Sequence, residues 1–437
     1  MGTTQLKYTP NSTSTRYKAT ISAWVKRTNI GAEGWIFEGK NGTNQADGFR
    51  FQANNTINML LNDGGGGSCT TNRLFRDPHA FYHLMWVVDT TQATASDRMK
   101  LYVNGVQETS FSSASYPAQN FAIEGTFVNG QDMYIGTQHG YNFFEGVMSH
   151  YHICDGYAYQ PSDFGSTDAV TGEWKINTSP SVSYGTHGAF ILKDGNSVTD
   201  QSGNSNNWSV HAGTLTNTED NPSNVFATLN VLQGAIASGY TIENGNLSTN
   251  GTGSNTWRSL PATLASSSGK FYWEIKVAGF STGMHFGVQD IDQAIQTNNY
   301  AYQYSRAYMY KDDGNKANNN SSTSYGNSFT TNDIIGVALD MDNLKLYFSK
   351  NGVFQNSGVP TSGSTGTGAA YTLASGYAYT PMISSYASAD KYQCNFGNGY
   401  FGTTAISSEG TNASGIGKFE YDVPTGYTAL STKGLNE

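Results

Sequence analysis

The sequence is poor in charged residues, cysteine and proline, and each shortage excludes a class of protein. Charged residues make up 13% of the 437 positions and no Lys/Arg cluster occurs, so a nucleic-acid partner is not expected, because binding phosphates requires clustered positive charge. Cys69, Cys154 and Cys394 are far apart in sequence and one must stay unpaired, which excludes a disulfide framework and a cysteine zinc motif. The 10 prolines are too few for a proline-rich stalk.

Long apolar runs are also absent. The first ten residues lack the apolar core of a signal peptide, and no stretch approaches the roughly 20 apolar residues of a membrane helix. We therefore expect the protein to be synthesised and folded in a cytoplasm, without insertion into a membrane. The formal net charge of −9 favours solubility and names no partner.

Aromatic and turn-forming residues, by contrast, are abundant. Aromatic residues make up 13% of the chain, with 28 Tyr and 22 Phe, and much of the remainder is Gly, Ser, Thr and Asn. This composition is not that of a disordered chain and is typical of short strands joined by polar turns. Because 437 residues exceed one ordinary core, we predict two domains, 1–219 and 220–437, with the boundary in a polar, turn-rich segment.

Alternation of apolar residues with a period of two indicates strands in both halves, whereas helical periodicity is nearly absent. Two alternating segments end in Asn-Gly, a strong hairpin signal: 99–105 in the first half and 333–352 in the second. The apolar faces are Ile21, Ala23 and Val25 in the first half and Phe271, Trp273, Ile275 and Val277 in the second. The sequence therefore predicts an all-β fold, with two antiparallel β-sandwiches (jelly rolls) in tandem.

Each half also resembles a known domain family. The first half is similar to laminin-G-like, concanavalin-A-like jelly rolls in AWVKR, in YHLMWVVDTTQATASDRMKLYVNG, in MYIG followed by FFEGVMSHYHICDG, and in DQSGNSNNW. The second half resembles SPRY domains through SGKFYWEIKV, MHFGVQD, DIIGVALDMDNLKLYFSKNG and PMISSYAS…CNFG, four motifs in the order of that family. Both resemblances imply sandwich folds.

The tandem arrangement resembles proteins of tailed bacteriophages, especially marine ones. The phrases that carry this likeness are VDTTQATASDRMKLYVNG, FGSTDAVTGEWK, DNPSNVFATLN and YDVPTGYTALSTKGLN. The resemblance implies a virion component displayed outside the particle, on a tail fibre or on the head, with other virion proteins as its partners.

Catalysis is not expected, although jelly rolls host glucanases. A retaining glycosidase needs two carboxylates roughly 5 Å apart, which on a strand means acidic residues that share a face. No predicted strand carries the Glu-x-Asp-x-x-Glu pattern of those glucanases, and the acidic residues mostly stand singly in turns. We therefore predict that the protein is not an enzyme, with a polysaccharide depolymerase as the remaining catalytic alternative.

Metal sites have weak candidates. His150, His152 and Cys154 are spaced two apart and could share a strand face, yet no further ligand is evident, so we interpret them as one alternating strand with locally satisfied polar groups. We predict no cofactor. Calcium is left open by the laminin-G-like resemblance, since oxygen ligands from loops bind it in such folds. The candidate ligands are Asp47, Asp63, Asp132 and Asp155 in the first half and Asp340 and Asp342 in the second.

The richest aromatic segment is the candidate binding site. Its alternating tyrosines indicate a surface for a ligand or partner, because tyrosine offers rigid contact area and a hydroxyl. The alternative is a strand whose tyrosine face caps the core or packs within an oligomer. The candidate site residues are Tyr300, Tyr302, Tyr304, Tyr308 and Tyr310.

These observations predict a non-enzymatic virion protein that binds a host-surface glycan or protein as a tail-fibre-type adhesin. The alternative is a head decoration or capsid fibre protein that is anchored on the capsid. We expect a homo-oligomer, since exposed edge strands of an all-β protein need covering. A trimer is one such state, although no coiled-coil heptads occur in the sequence.

Overall fold

The computed structural model describes residues 3–42, 46–193, 197–233, 240–251, 255–294 and 299–437. The chain folds as two compact units: Met1–Asn217 with Asn221–Ser223, and Thr218–Asp220 with Asn224–Glu437. We call these the first and second unit. Apart from short 3-10 helices, the described residues form strands, turns and loops, and the all-β prediction is confirmed. Among the same residues, no helix combines the length and apolar character that crossing a bilayer requires.

The first unit is a two-sheet structure with antiparallel pairing throughout. One sheet has the strand order β10-β6-β5-β4-β3-β11-β1-β16, a second has the order β15-β12-β2-β7-β8-β9, and β13 pairs with β14. The strands are β1 (Gln5–Tyr8), β2 (Lys18–Arg27), β3 (Gly34–Lys40), β4 (Ala46–Phe51), β5 (Ile57–Leu60), β6 (Ser68–Thr71), β7 (Tyr82–Asp89), β8 (Met99–Val103), β9 (Val106–Gln107), β10 (Phe111–Ser115), β11 (Met133–Ile135), β12 (Gly146–Asp155), β13 (Gly165–Thr167), β14 (Trp174–Ile176), β15 (Ala189–Ile191) and β16 (Ser209–Ala212). The 3-10 helices are Asn62–Gly64, Ala95–Asp97 and Pro161–Asp163.

The first core follows the predicted alternation. Ile21, Ala23 and Val25 of β2 are fully buried in the cluster between the two sheets. The opposite face of β2 is buried as well, because Trp24 stacks on the His83 ring with the centroids 5.1 Å apart. The period-two pattern thus predicts the strand and its inward face. Burial of the other face of β2 depends on residues that are distant in sequence, such as His83.

The second unit repeats the two-sheet plan. One sheet has the order β17-β18-β30-β20-β25-β26-β27, with β28 on β26 and β33 parallel to β20; the other has the order β19-β29-β21-β22-β23-β24, and β31 pairs with β32. The strands are β17 (Tyr240–Glu243), β18 (Ser248–Gly251), β19 (Arg258–Pro261), β20 (Lys270–Gly279), β21 (Met284–Asp290), β22 (Ala307–Lys311), β23 (Asn315–Asn318), β24 (Ser321–Ser324), β25 (Ile334–Asp340), β26 (Lys345–Lys350), β27 (Val353–Phe354), β28 (Tyr371–Thr372), β29 (Tyr379–Ser385), β30 (Lys391–Asn395), β31 (Tyr400–Phe401), β32 (Thr404–Ala405) and β33 (Thr428–Ala429). The 3-10 helices are Ala301–Gln303, Gln355–Ser357, Pro360–Thr365 and Gly434–Asn436.

The second core lies between those two sheets. Phe271, Trp273, Ile275 and Val277 of β20 point into it, as the alternation predicts, and strands of the facing sheet contribute from the other side. The opposite face of β20 is covered by the C-terminal part of the chain, where Phe419 packs edge-on against Tyr272 at 5.1 Å.

Strand register corrects part of the tyrosine prediction. Tyr308 lies opposite Val288 and Tyr310 opposite Phe286 in the β21–β22 pair, and residues directly opposite each other share a face. Since Val288 and Phe286 point into the core, both tyrosines do too, and they are 7% and 0% exposed. Tyr308 and Tyr310 are therefore core residues that a partner cannot reach.

Candidate functional site

The other three tyrosines lie over the outer face of the sheet β19-β29-β21-β22-β23-β24. Their alternation suggests a strand, but the backbone contains the 3-10 helix Ala301–Gln303. Ala301 is buried against Ala307, Met309 and Met382, which occupy the sheet face that points away from the core. Tyr302 packs against the edge of this small apolar cluster. Residues 299–304, which we call the cover, therefore lie on the sheet and are not one of its strands.

Backbone hydrogen bonds hold this cover in place. The N–H of Asn320 donates to the carbonyl oxygen of Tyr302 at 3.0 Å, and the Ser259 hydroxyl donates to the carbonyl of Asn299 at 3.2 Å. The Tyr300 hydroxyl donates to Asn320 Oδ1 at 3.2 Å. These bonds fix the orientation of half-buried tyrosine rings that face solvent in part.

Five rings meet beside the cover and form what we call the aromatic cluster: Trp257, His285, Tyr300, Tyr302 and Tyr386. Tyr300 and Tyr302 stack with their centroids 4.2 Å apart and their planes 25° apart. Trp257 lies 5.4 Å from Tyr300 and 5.5 Å from Tyr386, both measured between centroids. The four rings other than His285 are half-buried, so the cluster presents a preformed aromatic surface.

His285 forms the floor of the aromatic cluster. Its ring stacks under Trp257 at 4.7 Å and meets Tyr302 edge-on at 5.1 Å, and the residue is 1% exposed. Burial lowers the pKa of His285 to about 3, so the imidazole is neutral at physiological pH. Within the described residues, its Nδ1 atom is buried and has no hydrogen-bond partner.

The charges around the cluster are balanced. Lys311 Nζ lies 5.6 Å from the Tyr302 ring centroid and forms an ion pair with Asp313 at 2.9 Å. Arg306, further along the same sheet, is paired with Asp290, and this bond involves the guanidinium Nε. The site therefore offers aromatic faces and neutral polar groups, with little net charge to attract an ion.

The tyrosines predicted from the sequence contribute only part of the aromatic cluster. Tyr300 and Tyr302 belong to it, whereas Tyr304 packs on the apolar cluster under the cover. Trp257, His285 and Tyr386 were missed, because each stands alone in sequence next to or within a different strand. The sequence did contain one indication of His285. It is adjacent to Phe286 in the strand MHFGVQD, so the two side chains point to opposite faces, and the Phe286 side chain points inward.

The histidine and cysteine candidates of the first unit are part of a packed face. His152 stacks on Phe190 with the centroids 4.0 Å apart, and its Nδ1 is 2.9 Å from the Tyr184 hydroxyl. His150 has a positive φ of 47° at the point where the β12–β2 register shifts, and its Nδ1 is 2.7 Å from the Ser149 hydroxyl. Burial raises the pKa of the Cys154 thiol, which disfavours the thiolate that a metal would need.

The aspartates considered for calcium are dispersed, and each contacts at least one protein donor group. Asp47 accepts three backbone N–H bonds, of which the Gly125 bond is 2.6 Å long, and burial raises its pKa to about 6. The remaining contacts are Asp63 with the Ala46 N–H, Asp132 with Lys7, Asp155 with the Ser14 hydroxyl, Asp340 with Lys270, and Asp342 with the Gly269 N–H. In the part of the chain that the structure describes, no group of three or more His, Cys, Asp or Glu residues could hold a metal ion.

Comparison with family models gives one match in each half of the chain. Residues 1–163 match the concanavalin A-like lectin/glucanases superfamily, and residues 270–399 match the SPRY domain. The chain therefore carries a concanavalin A-like domain and a SPRY domain in tandem. The segment 270–399 contains His285, Tyr300, Tyr302 and Tyr386, and Trp257 precedes it.

Solved structures match part of the chain. The SPRY domain of human HERC1 is 21% identical and aligns over 36% of this chain and 91% of that one, with a TM-score of 0.29. The TRIM65 PSpry domain is 14% identical over 39% and 91% of the two chains, also with a TM-score of 0.29. Stonustoxin is 16% identical over 39% of this chain and 27% of its own length, with a TM-score of 0.29. No curated protein sequence matches the chain.

Proposed function

We propose, from the tandem concanavalin A-like and SPRY domains, that the protein is a non-enzymatic binding protein on the outside of a tailed bacteriophage particle. In this proposal it acts as a tail-fibre-type adhesin that attaches to a glycan or protein of the host surface. Domains of both kinds often serve as binding modules. The virion setting rests on the sequence likeness of phrases such as VDTTQATASDRMKLYVNG and YDVPTGYTALSTKGLN to phage proteins.

The aromatic cluster is the observation that carries the binding role. Tyr and Trp rings give large contact area at low entropic cost when packing already fixes their positions. Here Tyr300 stacks on Tyr302 and is tied to Asn320, so little order has to be gained on binding. Core packing does not require aromatic rings that face solvent. Four such rings in contact are typical of a recognition surface.

The partners of the buried carboxylates support a non-catalytic role. Glu38 is bound to His139, whose ring nitrogen lies 2.8 Å away and whose backbone N–H donates at 2.6 Å. Glu274 accepts backbone N–H bonds from Glu420 and Tyr421. Both residues are fully buried and hold loop backbone, so neither carboxylate is exposed at the surface. A polysaccharide depolymerase is the alternative, and it would release reducing ends from host polysaccharide.

Competition for adsorption tests the adhesin role. Purified full-length protein in excess should slow adsorption of the phage that carries it, and Trp257→Ala or Tyr300→Ala should raise the protein concentration needed for this effect. Tyr157→Ala is a matched control, because Tyr157 is 41% exposed and stacks on Tyr159 in the first unit, away from the cluster residues in sequence. If saturating wild-type protein leaves adsorption unchanged, the adhesin proposal is wrong.

A head decoration or capsid fibre is the second candidate, and exposed sheet edges favour it. Strands β10 and β24 are at the edges of their sheets. A charged residue on an edge strand is a usual protection against pairing with another chain, and neither of these strands carries one. Such edges support a homo-oligomer, including a trimer. Gel densitometry of purified virions separates the two candidates, since a decoration protein is present in many copies per particle and a tail fibre in few.

A further inference from the structure

Three buried polar atoms without a hydrogen-bond partner lie on the side of the sheet that carries the aromatic cluster. They are His285 Nδ1, Gln289 Oε1 and Tyr304 Oη, and no described protein group satisfies them. His285 and Gln289 are four residues apart on β21 and point away from the core that Phe286 and Val288 enter. Because buried polar groups are normally paired, this face is suited to a ligand that brings its own hydrogen-bonding groups.

The charged groups around this face are paired with each other, which favours a neutral ligand over an ionic one. The charges that act on the His285 imidazole are those of Lys311 and Asp313, which neutralise each other at 2.9 Å. Arg306 and Asp290 form a second pair on the same sheet. An anionic ligand would have to break one of these pairs to gain a counter-charge, whereas a neutral ligand would not.

The rings supply the remaining part of the recognition chemistry. Sugar rings present C–H faces that stack on aromatic side chains, and their hydroxyls donate and accept hydrogen bonds in the same molecule. A neutral imidazole matches such a hydroxyl, since each of its nitrogens is either a donor or an acceptor. Tyr302, which is half-buried, meets the His285 ring edge-on at 5.1 Å and so lies in part between this imidazole and the solvent-facing part of the aromatic cluster.

We infer that the aromatic cluster is a binding site for a neutral, hydroxyl-rich saccharide, with Trp257 and Tyr300 as the stacking platform and His285 as a hydrogen-bonding group beneath it. The inference rests on the proposed binding function and narrows it to one ligand class. A peptide ligand would also use aromatic contacts, and it is therefore an outcome that the test distinguishes.

The test applies the full-length protein to a printed array of neutral and anionic bacterial glycans, at low and at high salt. We expect binding to neutral glycans only, with no loss at high salt. On the best neutral glycan, Trp257→Ala and Tyr300→Ala should each weaken binding about tenfold, the range expected for one lost aromatic contact, and Tyr157→Ala should have no effect. His285→Phe keeps the stacked ring and removes both nitrogens, so it should weaken binding while the melting temperature stays close to wild type.

Several results would overturn the inference. Binding restricted to anionic glycans, or lost at high salt, would show that charge recognises the ligand. Binding that Trp257→Ala and Tyr300→Ala leave intact would place the site elsewhere. If no glycan is bound but free protein still slows phage adsorption, the saccharide inference fails and an adhesin for a protein receptor remains; if adsorption is also unaffected, both proposals fail.

Discussion

The carboxylate of Glu274 accepts a 2.8 Å hydrogen bond from the backbone N–H of Tyr421, a residue 147 positions later in the chain. The neighbouring N–H of Glu420 donates to the other carboxylate oxygen at 2.9 Å. Glu274 is fully buried on the outer face of β20, so these bonds hold the C-terminal part of the chain against that face. Burial raises the pKa of Glu274 to about 7.

This carboxyl group should make the stability of the second unit depend on pH. Between about 4.5 and 7 the folded state keeps a proton that the unfolded state has lost, so the free energy of unfolding should fall as pH rises through this window. The rise in the pKa of Glu274 from 4.5 to about 7 corresponds to a change of about 3 kcal/mol in the free energy of unfolding. Urea unfolding at pH 5 and pH 8 measures the change, and in Glu274→Gln the same comparison should show a smaller decrease. An equal decrease in the variant would contradict the assignment.

The tyrosines of the candidate segment should separate into two classes. Tyr308 is buried between the Tyr371 and Tyr379 rings, and its hydroxyl accepts the Ala374 N–H at 3.2 Å. Tyr308→Ala should therefore cost about 4 kcal/mol of stability, and Tyr300→Ala less than about 1 kcal/mol. Chemical denaturation of the two variants checks this. Similar losses in both would mean that the division into core and surface is incorrect.

The Asn104-Gly105 turn should be sensitive to a single methyl group. Gly105 has a φ of 80°, and a Cβ there would lie 2.4 Å from Trp174 Cε3. Gly130 has a similar φ of 73° with no atom within 4 Å of the added carbon, so it is a matched control. Each Ala variant should lose about 1 kcal/mol from backbone strain, and Gly105→Ala should lose more because of the clash. Thermal unfolding of both variants isolates that difference.

The three thiols should be unreactive in the folded protein. Cys69, Cys154 and Cys394 are free and buried, and burial raises the pKa of Cys69 to about 11. Since the thiolate is the reactive form, a thiol-specific reagent at pH 7 should label the native protein very slowly and the urea-unfolded protein rapidly. Fast labelling of the native protein would show that one of these sites opens to solvent.

The positions of the strands were predictable because they depend on local patterns. Alternation places Ile21, Ala23 and Val25 in one core, and it does the same for the inward residues of β20. The two Asn-Gly pairs occupy left-handed turns, with φ of 48° and 80° at Asn104 and Gly105. Backbone conformation and side-chain direction repeat over two residues in a strand, so the sequence by itself determines them.

The candidate site depended on tertiary structure. The strand order β19-β29-β21-β22 brings Trp257, Tyr386 and His285 together from three separate parts of the chain, and only Tyr300 and Tyr302 are neighbours in sequence. The pairing of β22 with β21 buries Tyr308 and Tyr310, although their local alternation resembles that of the tyrosines before them. Local periodicity indicates that two faces of a segment differ, but only the register with a neighbouring strand decides which face meets the core and which meets solvent.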